Sequence, residues 1–244
     1  MALGSWDLVI GIWDFVNLAI VIPALNEAEN LPRLIAAIPR LPGDTLDVIV
    51  VDNGSTDDTA GAARAAGARV VAEPRRGYGF ACAAGVRAAQ AQGAEAIVFL
   101  DGDVSSDPAE MPRLLEPLRA NSADMVLGSR LLGSDGGAML PHQNFGNLLT
   151  AWLMRRLYGL RVTDLAPYRA VRTELLAALD MREMTFGWPT EMMVKAARHR
   201  ARIVEVPVSF HPRLAGKSKV SGTLRGSVLA AYFILRTTFR YAWG

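Results

Sequence analysis

The sequence predicts an α/β protein with a Rossmann-like, mainly parallel central sheet and helices on both faces. Three observations predict it. Strand-like and helix-like segments alternate from Leu18 to Leu127, as crossovers between parallel strands require. The strand segments are unbroken apolar runs rather than alternating ones, which suits strands buried on both faces. The run Ala96-Ile-Val-Phe-Leu100 ends in Asp101-Gly102-Asp103, at the carboxyl end of a strand, where open α/β sheets gather their ligands.

Strands are expected over 18–23, 48–52, 69–72, 94–100 and 125–127. The stretches 27–38, 56–66, 80–92 and 108–119 between them are rich in Ala, Leu and Arg, with apolar residues at helical spacing. Asn26, Ser55 and Asp107 stand where they can cap the helices that follow, and Pro108 fits a first helical turn. Beyond Gly128 the rhythm breaks. A glycine-rich loop at 133–137 leads to a helix near 145–158, then the segment 164–170 and a helix over 190–200. A strand over 203–208, a basic loop over 211–221 and a helix over 224–243 complete the chain. On the last helix Arg225, Arg236 and Arg240 fall in one narrow sector, with Ala230, Ala231, Ile234, Leu235 and Phe239 expected opposite. That arrangement suits a helix lying in a membrane plane, or equally one packed on the domain with its arginines in water.

Composition narrows the class. The 244 residues are 51% hydrophobic and 20% charged, which excludes a disordered chain and allows a full core. A single cysteine, Cys82, excludes an internal disulfide and reads as a core thiol. Residues 1–16 lack a basic start and carry Asp7 and Asp14, so they read as an N-terminal extension rather than a signal peptide. The net charge of +2 hides an asymmetry: from Lys195 onward there are ten Lys/Arg and one acid, Glu205, so the preceding body is acidic. A basic tail points to nucleotide phosphate, lipid phosphate or a membrane surface as its partner, not to nucleic acid.

The chemistry centres on Asp101 and Asp103. Two carboxylates one residue apart repel unless a cation lies between them, and hard Mg²⁺ or Mn²⁺ suits oxygen ligands. An ion held by two protein oxygens keeps open positions for phosphate, which points to phosphate-ester or nucleotide chemistry. Asp52 ends the second strand, where it can accept hydrogen bonds from a base or ribose. After the third strand, Arg75-Arg76-Gly77-Tyr78-Gly79 brings backbone N–H groups and guanidinium charge towards phosphate. Its glycine spacing is not that of a dinucleotide site. His142, His199 and His211 lack ligand spacing, so zinc is not expected.

Taken together, Ile20-Val-Ile-Pro23-Ala24-Leu-Asn26-Glu27, Val51-Asp52-Asn-Gly-Ser55, Leu100-Asp101-Gly-Asp103 and Gly128-Ser129-Arg130 resemble, in order and spacing, family 2 glycosyltransferases. Trp188-Pro-Thr-Glu191, Val206-Pro-Val and Arg213-Leu-Ala-Gly-Lys-Ser218-Lys219 are similar to the branch containing dolichyl-phosphate mannose synthases and bacterial polyprenyl-phosphate glycosyltransferases. The resemblance implies a GT-A fold over 17–222, followed by an amphipathic helix over 223–244. It also implies a nucleoside-diphosphate sugar donor, GDP- or UDP-linked, Mg²⁺ or Mn²⁺, and inversion at the anomeric carbon; with the basic tail and the last helix, a cytoplasmic enzyme in peripheral contact with a membrane is expected.

By position, the resemblance implies that Pro23, Ala24, Asn26 and Glu27 line the nucleoside pocket and that Asp52 holds the base. Arg76, Gly77 and Gly102 would adjoin the donor, Asp101 and Asp103 would hold the metal, and Arg213, Ser218 and Lys219 would close over the diphosphate. Arg130, Gln143 and Arg169 are the residues expected to face the acceptor. Two departures stand out. Asn53 replaces a second acid common in the family, and 140–147 lacks the Arg and Ser that the synthases place on the helix after Gly-Ser-Arg.

The acceptor sets the role of Glu191. A phosphate monoester needs no proton removed at neutral pH, whereas a sugar or alcohol hydroxyl needs a base, for which Glu191, or secondarily Asp164, is the candidate. Glu191 could instead orient an arginine or the acceptor. Two other classes compete. A haloacid-dehalogenase-type phosphatase would use Asp101 as nucleophile, but its motif ends a first strand and needs a downstream acidic pair. A non-catalytic nucleotide-sugar binder would have lost the metal or lid residues.

Overall fold

The computed structural model describes residues 17–133, 141–213 and 224–242. The N-terminal extension, Ser218 and Lys219 lie outside the described residues, and so does the side chain of Gln143. Seven strands form one sheet: β1 (Asn17–Ala24), β2 (Thr45–Asp52), β3 (Arg69–Ala72), β4 (Ala96–Phe99), β5 (Met125–Ser129), β6 (Arg169–Arg172) and β7 (Ile203–Pro207). Their order across the sheet is β3-β2-β1-β4-β6-β5-β7. All neighbours are parallel except β6, which runs antiparallel between β4 and β5.

The helices are α1 (Leu31–Ala36), α2 (Thr59–Ala65), α3 (Tyr78–Ala91), α4 (Met111–Arg119), α5 (Pro141–Tyr158), α6 (Thr173–Ala178), α7 (Trp188–Arg198) and α8 (Leu224–Arg240). They cover both faces because successive strand side chains point to opposite sides. In β1, Leu18, Ile20 and Ile22 meet Leu31 and Leu34 of α1 and Met111, Leu114 and Leu118 of α4 in one core. Ala19 and Val21 join Ala81 and Cys82 of α3 and Met192 and Met193 of α7 in the other. Cys82 is fully buried there as a free thiol.

The structure differs from the expected elements in three places. The first two helices begin later than expected, at Leu31 and Thr59, because Asn26 and Ser55 are not caps. They bind each other across two loops, and Asp58 accepts the capping hydrogen bond of α2 from Gly61. Second, β6 and α6 were not expected: β6 is only four residues long and contains two arginines, so it carries no apolar run. Third, Phe239 of α8 is exposed on the side that bears Arg236 and Arg240, not opposite them. Ala230, Thr237 and Thr238 form the buried side, packed towards α5 and α7. Among the described residues no helix is long and apolar enough to cross a membrane.

Candidate functional site

The loops after β1, β2, β3 and β4 meet at the carboxyl ends of the strands, and their side chains bind one loop to the next. Asn26, at φ 54°, donates its N–H to Ser55 Oγ (2.9 Å) and accepts from Thr56 N (2.8 Å). The Glu27 N–H reaches Thr59 Oγ1 at 2.9 Å. Asp52 accepts from Ser55 N at 2.9 Å, which fixes the loop behind β2.

Asn53 ties the second loop to the third. Its Nδ2 donates to the carbonyls of Glu73 (2.9 Å) and Arg75 (2.7 Å), while its Oδ1 accepts from Gly77 N (2.9 Å). A carboxylate could not make those two donations, which gives the departure at this position a physical reason. Arg75 holds Glu73 as a carboxylate with pKa about 2. Arg76 donates to the Gly54 carbonyl at 2.7 Å. Gly77 and Gly79 have no room for a side chain: a Cβ at 77 would lie 2.5 Å from Met184 O, and one at 79 would lie 2.4 Å from Glu183 O. By contrast, a Cβ at Gly102 would meet only ordinary contacts, at 3.5 Å or more.

The acid pair sits at the end of β4. Tyr78, between the two glycines, donates its hydroxyl to Asp101 Oδ1 at 3.1 Å. Burial, and then the neighbouring Asp103, push the Asp101 carboxyl up to about 6. Asp103 accepts from Ser105 N (3.1 Å) and Oγ (2.6 Å) through Oδ1, and its Oδ2 lies 3.0 Å from Arg213 Nη2. Arg213 also reaches Glu27 Oε1 at 2.8 Å, so one guanidinium bridges the β1 and β4 loops. The next residue, Val104, is β-branched yet held at φ 62°, a strained conformation of the kind that collects at ligand sites. Among the described residues no three His, Cys, Asp or Glu cluster as a complete metal cage. The donor set is nonetheless hard oxygen, and Asp103 already accepts a cation in Arg213. The residues therefore fit an ion that takes its other ligands from phosphate and water.

Arg130, after β5, is clamped by Asp164: its N and Nε donate to Oδ2 (2.9 and 2.7 Å), and its Nη2 donates to Oδ1 (2.7 Å). Its guanidinium stacks over Phe210 at 5.0 Å. Asp164 is fully buried; although burial alone would raise its pKa, the Arg130 pair holds it below the usual carboxylate range. It is thus not a free base. Glu205 fastens the same loop by accepting from Thr163 N (2.8 Å) and Asp164 N (3.1 Å).

Two expected roles are corrected. Arg169 does not face an acceptor: β6 turns it into the interior, where it is 1% exposed and donates to the carbonyls of Ala166 (2.9 Å) and Pro189 (3.0 Å). Burial pulls its pKa down to about 10. Glu191 is not a free base either. It is fully buried, and its Oε2 accepts from Arg182 N (2.9 Å) and Glu183 N (2.7 Å). Its Oε1 accepts from Tyr241 OH (2.6 Å) and Lys195 Nζ (2.9 Å). Burial alone would raise the Glu191 pKa, but these donors keep it lowered. Sequence reasoning missed Tyr78 and Glu205. The first was signalled by its place between two glycines, the second by being the one acid in a basic run.

Residues 19–180 match the model of glycosyl transferase family 2. An uncharacterized glycosyltransferase of Mycobacterium tuberculosis is 43% identical over 212 residues, 86% of this chain and 93% of that protein. The undecaprenyl-phosphate mannosyltransferase of Micrococcus luteus is 35% identical, over 86% of this chain and 89% of its own length. The polyprenol monophosphomannose synthase of Mycolicibacterium smegmatis is 31% identical, over 84% and 81%. Among solved structures, glucosyl-3-phosphoglycerate synthase of Mycobacterium tuberculosis bound to phosphoglyceric acid superposes with a TM-score of 0.74 at 25% identity. That superposition covers 93% of this chain and 80% of the synthase. The motifs, the sheet and these likenesses agree: the chain belongs to glycosyl transferase family 2.

Proposed function

We propose that this enzyme is an inverting, Mg²⁺- or Mn²⁺-dependent transferase that moves a sugar from a nucleoside-diphosphate sugar to a polyprenyl phosphate. The carrying observation is that both carboxylates open to a base role, Glu191 and Asp164, are buried and consumed by hydrogen bonds. A hydroxyl acceptor needs such a base. A phosphate acceptor does not, because its oxygen is already anionic at neutral pH. The relatives named for undecaprenyl-phosphate and polyprenol support the same acceptor class.

In this reading Asp52 and the Asn26–Ser55 loops hold the nucleoside, and Asp103 with Asp101 would hold the divalent ion. Bound there, the ion would supply charge neutralisation for the departing diphosphate. Arg213, within reach of both acid loops, donates to a diphosphate oxygen, and Ser218 and Lys219 complete that lid. Arg130 presents its cation to the acceptor phosphate. An acceptor oxygen attacks the anomeric carbon, the bond from that carbon to the diphosphate breaks with inversion, and the nucleoside diphosphate leaves with the electron pair.

A lipid acceptor also needs a route to the membrane. Phe145, Leu148 and Trp152 repeat at helical spacing along one side of α5 and are 69%, 58% and 60% exposed. Val228, Leu229, Tyr232 and Phe239 are exposed on α8, which packs on α5. Neither helix contains an acid, and Arg155, Arg156, Arg236 and Arg240 are exposed on them. Apolar side chains ringed by arginines suit an anionic lipid surface.

The test is transfer itself. Purified enzyme with Mn²⁺ is given UDP- and GDP-sugars and undecaprenyl phosphate, with sugar and alcohol acceptors in parallel. Glycosyl phospholipid should form, and the anomeric configuration opposite to the donor's should be seen by NMR. Product formed only on hydroxyl acceptors would overturn the assignment.

A further inference from the structure

We propose that Tyr241, near the carboxyl end of α8, is a positioning residue for donor binding, acting through Glu191 on the strap 182–184 that backs the Gly77–Gly79 turn. The inference rests on the donor site assigned above, and it follows a chain of direct contacts. The turn after β3 carries Tyr78, which donates to Asp101, and Gly77, which donates to Asn53. The backbone of Glu183 and Met184 fills the space where side chains at 77 and 79 would stand, so the strap is the wall against which this turn rests. The strap makes two of its N–H bonds to one oxygen of Glu191, a side chain with no exposed surface. The other oxygen of Glu191 is held by Tyr241 OH at 2.6 Å, with Lys195 Nζ at 2.9 Å and the Lys195 ammonium 5.2 Å from the Tyr241 ring. A second contact runs in parallel. Glu183 accepts from Thr185 N at 3.0 Å, and its Oε2 lies 3.5 Å from Thr237 Oγ1 on the buried side of α8.

Tyr241, Glu191 and the strap stand behind the turn and make no bond to the acid pair themselves, so their effect must be geometric. A buried carboxylate that loses a donor rotates towards its remaining partners, and its two backbone bonds move with it. The strap then recedes from the turn, and Tyr78 is no longer braced against Asp101. The expected signature is weaker donor binding with an unchanged chemical step, because the reacting groups stay in place once the donor is bound. Tyr158 provides the control. Its hydroxyl donates to the Thr238 carbonyl, so it anchors the same helix without passing through Glu191.

The experiment compares Tyr241→Phe, Thr237→Val and Tyr158→Phe in the full chain. Affinity for UDP and for GDP, each with Mn²⁺, is measured by calorimetry, and donor KM and kcat are measured separately. Tyr241→Phe should raise both the nucleotide Kd and the donor KM about fivefold or more, with kcat within about twofold, the net scale of one hydrogen bond. Thr237→Val should give a smaller shift of the same kind, and Tyr158→Phe should leave Kd and KM unchanged while lowering the melting temperature. An unchanged Kd in Tyr241→Phe, or an equal rise in Tyr158→Phe, overturns the positioning role alone. Wild-type enzyme that binds neither nucleotide removes the donor site itself, and the proposal with it.

Discussion

At the scale of single residues, the site is a set of side chains that each hold a neighbouring loop. Asp103 is the sharpest case, since it meets Ser105 on one oxygen and Arg213 on the other. Asp103→Ala should reduce transfer by about a thousandfold or more, the scale of losing a metal or oxyanion-type contact. Circular dichroism should show the fold intact, and retained activity with Mn²⁺ present would exclude the assigned ion site. Asn53→Asp replaces a double donor by an acceptor beside Glu73 and should cost about 2–4 kcal/mol of stability, read by urea unfolding. Asp101 gives a pH prediction. Its folded-state pKa of about 6 lies above the ordinary value of 3.8, so this carboxyl opposes folding above about pH 4, and the opposition is complete above about pH 6. Cation binding relieves that cost only where the carboxyl is ionised. The Mn²⁺-induced rise in melting temperature should therefore be greatest above about pH 6 and shrink towards pH 5; a rise independent of pH would refute the placement.

At the scale of elements, α5 and α8 act as a pair. The apolar side of α5 is as exposed as that of α8, so removing α8 alone should not abolish vesicle binding. Substituting Leu148 and Trp152 together by Glu introduces acid into the acid-free face. It should reduce flotation with anionic vesicles about tenfold or more while leaving nucleotide affinity unchanged. Binding that survives the double substitution would place the membrane contact elsewhere. Element by element, the sequence was most legible where runs were long and apolar. β1, β2 and β4 lie where β-branched stretches end in polar residues, and Asp101 and Asp103 stand at the mouth as their place after β4 requires. Legibility failed at β6, where Arg169 and Arg172 flank only two apolar residues and the strand exists because β4 and β5 accept its backbone. The same cause misdirected the reading of Arg169. A lone arginine after a tyrosine looks like a surface cation, and only the antiparallel return of the chain buries it. Glu191 was open to a base or an orienting role because donors at 182, 183 and 241 lie at separations that no local pattern reveals; only Lys195, four residues on along α7, was legible.

At the scale of the whole molecule, the side chains at the mouth of the sheet form two hydrogen-bond networks, one on each half. The loops after β1 to β4 supply Asn26, Asn53, Tyr78 and Asp103, each bonded to another segment: Asn26 to Ser55, Asn53 to Gly77, Tyr78 to Asp101 and Asp103 to Arg213. Arg130, Asp164 and Glu205 form a separate network around β5 and β7. β6 lies between the halves, and its reversed direction brings the segment that enters it, with Asp164, to the carboxyl ends of its neighbours. The two networks meet at a seam between β4 and β5, and Arg213, from the segment after β7, belongs to the first, where it ties Glu27 to Asp103. On the proposed assignment, that seam separates what receives the sugar from what cradles the nucleotide. A hybrid that takes only residues 130–168 from a relative with another acceptor should keep its original preference among donors.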